Sequence, residues 1–163
     1  MDLFEVQNTH NILKTEVTYN SGNTPYVTAG VDNNSIASYI NYDRNLIERG
    51  NSIMIGGKTT VITYQPRDFY SNDSHNLVLK LREMEPTENI SLFIVSSLIR
   101  SLSHKYHWGD SISKAKITAD TVMMPVDDNG DIDYTLMEHL INGIKKKVIA
   151  SIKHFYPTRA QSL

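Results

Sequence analysis

The chain has 163 residues, 40% of them hydrophobic and 21% charged, with a formal net charge of −2. That is the size of one domain of roughly 100–200 residues, and the composition excludes wholesale disorder. The absence of cysteine excludes disulfides, thiolate metal sites and thiol nucleophiles, and the negative balance excludes nucleic-acid binding by bulk charge alone.

The charge is segregated. Residues 1–50 hold six acids and three bases, and 51–116 hold eight bases and six acids. Residues 117–138 hold six acids and no base, while 139–163 hold five bases and no acid. Such segregation permits a basic face on an acidic protein. No apolar run approaches the ~20 residues of a membrane span. Met1-Asp2-Leu3-Phe4-Glu5 lacks the basic start of a signal peptide, so the expected location is the cytoplasm.

In chain order, Asn11 to Tyr19 leans towards β structure and Asn20-Ser21-Gly22-Asn23 is turn chemistry. Pro25 to Thr28 begins a strand, Gly30 to Ser35 is a loop, and Ile36 to Tyr42 alternates again. Ser52 to Ile55 is a short apolar strand, followed by the turn Gly56-Gly57-Lys58-Thr59-Thr60 and a β-branched run from Val61 to Gln65. Residues 66–76 form a polar, aromatic loop, and Leu77 to Leu81 is a strand. Pro86-Thr87 opens a helix with Ile90, Phe93, Ile94, Leu98 and Leu102 at helical spacing. A second polar-aromatic loop runs from His104 to Ser113, and Asp127 to Asp131 is an acidic turn. A terminal helix spans about Asp133 to His154, with Leu136, Leu140, Ile144, Val148 and Ile152 along one stripe, and Pro157 ends it. The expected architecture is α+β: one domain over 1–133 with a twisted mixed sheet, a projecting helix over 134–156 and a tail over 157–163.

Most chemistry-bearing motifs fail on spacing. Gly56-Gly57-Lys58-Thr59 resembles a phosphate loop, but Ser52 stands where the pattern needs glycine and the following segment is a strand. Aligning Gly130 with the glycine of a calcium loop puts Pro125 and Leu136 at ligand positions, so no metal is expected. The pair His104 and His107 lacks a carboxylate at zinc-site spacing. No catalytic residue, metal or cofactor is assigned. The two loops remain: Lys and Arg neutralise phosphates, and amide, hydroxyl and imidazole groups read base edges. The bland reading makes their aromatics half-buried anchors and their cations a solvated face.

Several segments, in order, carry a resemblance. They are Asp2-Leu3-Phe4, Thr24 to Ala29, Asn33 to Ile40, Gly50-Asn51-Ser52-Ile53, Tyr64 to Tyr70, the 77–81 strand, the 89–102 helix, the His104-Lys105-Tyr106 loop, and Met124 to Tyr134 with Met137-Glu138. Together they cover about residues 1–145, and the chain resembles a target recognition domain of type I restriction-modification specificity subunits, of the BcgI-like branch. The resemblance implies a non-catalytic reader of double-stranded DNA that directs methyltransferase and restriction subunits to a target. By position it puts DNA on 57–60, 65–75 and 104–116. Lys58, Arg67, Lys105, Lys114 and Lys116 are then expected to hold phosphates, and Gln65, Asn72, Ser74, His75, Tyr106 and His107 to face bases. Thr59, Thr60, Tyr70 and Trp108 complete the expected surface. Family members with two such domains join them through paired helices, so the stripe Leu136, Leu140, Ile144, Val148 and Ile152 is expected to form a homodimer or to dock another subunit. Two rivals stand beside this reading: an orphan module that docks on methyltransferase subunits without binding DNA, and a small hydrolase using His104 or His107.

Overall fold

Period-two alternation along the strands and apolar stripes on the helices sort this chain into layers. The computed structural model describes residues 3–107 and 109–155. Trp108, the helix stop expected at Pro157 and the 157–163 tail lie outside the described residues. The strands are β1 Phe4–Asn8, β2 Thr24–Val27, β3 Ile36–Ile40, β4 Ser52–Ile55, β5 Ile62–Gln65, β6 Tyr70–Ser71 and β7 Leu77–Leu81. The helices are α1 Glu88–Leu102, α2 Lys114–Ala119 and α3 Tyr134–Phe155.

The expected α+β class holds, with the strands divided between two sheets. The larger is antiparallel throughout, in the order β1-β7-β4-β5. The smaller, β3-β2-β6, is the mixed one: β3 runs antiparallel to β2, and β6 runs parallel to it. Successive side chains point to opposite faces of a strand, and β4 and β7 use both faces. Ile53, Ile55, Leu77 and Leu79 meet the helices in one core cluster. Met54 and Val78 turn the other way, towards Val27, Ala29 and Phe69 of the second layer. A third cluster of Ile12, Tyr26, Ile40 and Tyr70 closes the far side of the smaller sheet.

Helix α1 begins where Thr87 Oγ1 accepts from Ile90 N at 3.2 Å, an N-cap that satisfies one orphan donor. Its buried stripe of Ile90, Ile94, Val95, Leu98 and Leu102 covers the larger sheet, each large side chain contributing roughly 1.5–3 kcal/mol by burial. Glu138 of α3 accepts from Asn89 Nδ2 at 2.6 Å and from the Thr87 hydroxyl, which ties α3 to the start of α1. Those two donors hold the Glu138 carboxyl below the usual carboxylate range. Two local expectations change. Residues 11–19 form a 3-10 turn at Lys14–Glu16 instead of a strand, and β1 and the short α2 were not anticipated.

Candidate nucleic-acid interface

Three loops leave the C-terminal ends of β2, β4 and β6 and meet. Because β6 is parallel to β2, with Val27 opposite Ser71, the loops at 28–35 and 72–76 emerge side by side. The turn at 56–61 lies against both: Thr59 Oγ1 donates to Ala29 O at 3.1 Å, and Gly57 N donates to Asn76 Oδ1 at 3.3 Å. Gly57 is where the segments converge. Its carbonyl accepts from Ile112 N at 2.9 Å, which brings in the 104–116 loop, and a Cβ on Gly57 would stand 2.0 Å from His75 O. Only glycine permits that approach. β1 ends here as well, with Asn8 Nδ2 donating to Ser74 O at 2.8 Å.

This convergence gathers Lys58, Thr59, Thr60, Asn72, Ser74 and His75, and its electrostatic centre is Asp73. One Asp73 oxygen accepts from Lys58 Nζ at 2.8 Å; the other accepts from His75 N at 2.9 Å and lies 2.7 Å from His75 Nδ1. Desolvation pushes the carboxyl up, but the Lys58 and His75 hydrogen bonds and the Lys58 charge outweigh it and bring it down to about 2. Lys58 and His75 are thus held in place, with His75 largely exposed.

Other expected contacts fall elsewhere. Gln65 is buried, with Nε2 donating to Asn34 O at 3.0 Å and Thr63 Oγ1 at 2.9 Å, so its amide serves the fold and is turned from any ligand. Tyr70 is a core residue whose hydroxyl donates to Tyr42 O at 2.9 Å. The expectations of Gln65 as a base reader and of Tyr70 as part of the DNA surface are both corrected: strand register carries these polar side chains inward. Arg67 is exposed but packs its backbone on Gly50, at the opposite end of β4 from Lys58. At about 3.3 Å per residue, that end is some 20 Å away.

The 104–116 loop is knitted to itself. Lys105 Nζ donates to Asp120 at 2.8 Å and Tyr106 Oη to the same carboxylate at 2.5 Å; burial, then that acid, pushes the Tyr106 hydroxyl up to about 12. Lys116 pairs with Asp110, holding that carboxyl below its ordinary range, and its Nζ sits 5.9 Å over the Tyr106 ring. His107 Nδ1 accepts from Gly109 N at 3.1 Å. Lys114, capped into α2 by Ser113, lines an open cleft beside β1 with Arg82. Among the described residues, no group of three metal-ligating side chains comes together.

The sequence places a loop at Gly30 to Ser35 but assigns the 28–35 segment no part in the site. Ala29, Asn33, Asn34 and Ser35 all have left-handed φ, between 47° and 65°, and Thr60 beside them has φ 56° with a buried hydroxyl that has no hydrogen-bond partner. A left-handed non-glycine residue costs about 1 kcal/mol or more, and such costs collect at functional sites. The pair Asn33-Asn34 was the available signal, since asparagine tolerates this region best.

Away from these loops, α3 is buried only at Met137. Leu136, Leu140, Ile144, Val148 and Ile152 are 38–56% exposed, and Phe155 is 73% exposed. Among the described residues, no helix is long and apolar enough to cross a membrane.

Comparison with known proteins shows the family and the fold. The model of the type I restriction modification DNA specificity domain matches residues 1–154. The fold is similar to that of the HsdS subunit from Thermoanaerobacter tengcongensis, with a TM-score of 0.62 at 10% identity, covering 98% of this chain and 39% of that one. A second solved chain, from a study of complex assembly and conformational transition of the type I R-M system, gives a TM-score of 0.63 at 9% identity and covers 98% and 40%. The chain therefore spans about two fifths of the length of these solved relatives. No curated protein matches it.

Proposed function

Since the chain belongs to the family of type I restriction modification DNA specificity domains, we propose that it is a non-catalytic, sequence-specific reader of double-stranded DNA. It serves a cytoplasmic restriction-modification complex and directs methyltransferase and restriction subunits to a target. The observation that carries this reading is the convergence of the 56–61 and 72–76 loops on Gly57, which presents Lys58 and His75 together on a rigid base. Lys58 exchanges Asp73 for a phosphate oxygen, and His75, Asn72 and Ser74 face the base edges. Exposed ion pairs are weak, so the exchange is cheap.

The exposed stripe on α3 is the docking element. A helix of 22 residues extends about 33 Å, and its open apolar side suits a second helix, from another copy of this chain or from a methyltransferase subunit. A homodimer provides two readers for a bipartite site.

The test is titration of mixed-sequence and selected duplexes at several salt concentrations. Lys58→Ala weakens every sequence alike and flattens the dependence of log K on log salt by about 0.9, the share of one phosphate. Unchanged affinity and slope in Lys58→Ala would reject this face as the DNA surface. Salt-insensitive, negligible DNA affinity with intact subunit binding would leave the chain as a docking module.

A further inference from the structure

We infer that the loop at 28–35 is a base-reading finger, with Val31 contacting a thymine methyl and Asp32 accepting from an adjacent amino group in the major groove. This rests on the reading of the chain as a DNA reader and adds a segment outside the surfaces assigned above.

Val31 is 83% exposed, more than any other large hydrophobic side chain among the described residues, yet it stands on one of the most tightly held loops. Ser35 Oγ donates to Gly30 O at 2.7 Å, Ser35 N to Asp32 O at 2.8 Å and Thr28 N to Ser35 O at 3.0 Å. Asn34 Nδ2 reaches Tyr64 O at 2.8 Å, and Asn34 O accepts from Gln65 Nε2 at 3.0 Å. An apolar side chain fixed in the open by strained backbone is pre-organised for contact, because its ordering cost is met before any ligand arrives.

Position and charge choose the ligand. Thr59 Oγ1 bonds Ala29 O, and a Cβ on Gly56 would stand 2.5 Å from Ala29 Cβ, so the finger adjoins the turn that carries Lys58. The tip, Gly30-Val31-Asp32-Asn33-Asn34, has no cation, and the Asp32 side chain makes no capping bond. A tip carrying a free carboxylate is repelled by phosphates, so it passes between them while Lys58 holds one. In the major groove the apolar feature of a base pair is the thymine methyl, and the donors that suit a carboxylate are adenine N6 and cytosine N4. Val31 and Asp32, adjacent on a rigid turn, match a methyl beside an amino donor.

The experiment selects duplexes from a random library with the full chain, then replaces each thymine of the selected site by deoxyuridine, which lacks only the methyl. Wild type loses about fourfold in affinity at one position, the worth of one buried methyl. Val31→Ala loses the same on the unmodified site, becomes blind to that replacement and keeps the salt slope. Asp32→Asn shifts the base preferred at the neighbouring position. Both residues are exposed, so thermal melting stays unchanged. If wild type selects a site and Val31→Ala selects the same one with equal affinity and the same deoxyuridine response, the finger is overturned and the parent reading stands. If wild type selects no sequence, the parent reading fails and the finger with it.

Discussion

The loop end and the helix α3 treat their side chains in opposite ways. At the loop end, Lys58, Asp73 and His75 engage one another before any ligand arrives, Thr59 and Asn76 are bonded to neighbouring backbone, and even Gly57 is pressed against the His75 backbone. On α3, one side chain is buried while seven large apolar ones stand open. The difference separates two kinds of recognition. A surface that reads chemical detail needs its groups held to within fractions of an ångström, whereas a helix that packs on another helix needs only a continuous apolar stripe.

Four changes break or sharpen that contrast, the largest first. Gly57→Ala places a methyl inside contact distance of the His75 backbone, which cannot yield as a flexible side chain does. A loss of about 3 kcal/mol by chemical denaturation is expected, at the upper end of overpacking, with loss of DNA affinity. Acid acts next. Asp73 is held at about 2, below its ordinary 3.8, so its contribution is full above pH 4 and is lost as pH falls towards 2. The loss amounts to about 1–2 kcal/mol after solvent screening, and Asp73→Asn flattens that part of the pH–stability curve. Thr60→Gly works in the other direction. It relieves a β-branched residue at φ 56° and removes a buried hydroxyl without a partner, so stability rises by about 1 kcal/mol. If it falls, the turn is not strained. On α3, Ile144→Glu leaves stability within about 0.5 kcal/mol, as surface changes do. It abolishes self-association or subunit docking in sedimentation, and unchanged sedimentation both alone and with methyltransferase subunits would remove α3 as the docking face.

The sequence made the apolar periodicities legible, and with them β4, β7, α1 and α3, because each buries a regular stripe. The Phe4/Val6 against Glu5/Gln7 alternation of β1 was equally present and went unread. The candidate site was half legible. Lys58 and His75 emerge where turn chemistry predicts, but Gln65 and Tyr70 show why polar composition is a poor guide to exposure. Strand register, set by partners distant in sequence, turned both inward. The left-handed run at 33–35 depends on Tyr64 and Gln65 closing over Asn34, a tertiary fact that no local pattern encodes.

The frame of the 28–35 loop is made by Ala29 and by residues 33–35, with Ser35 bonded back across its base. The tip residues between them take no part in that frame through their side chains. A combinatorial library that varies only Val31 and Asp32 should therefore yield folded proteins at almost every draw. The scaffold is a socket for interchangeable tips, and changing the bases read beneath this one finger becomes a two-codon problem.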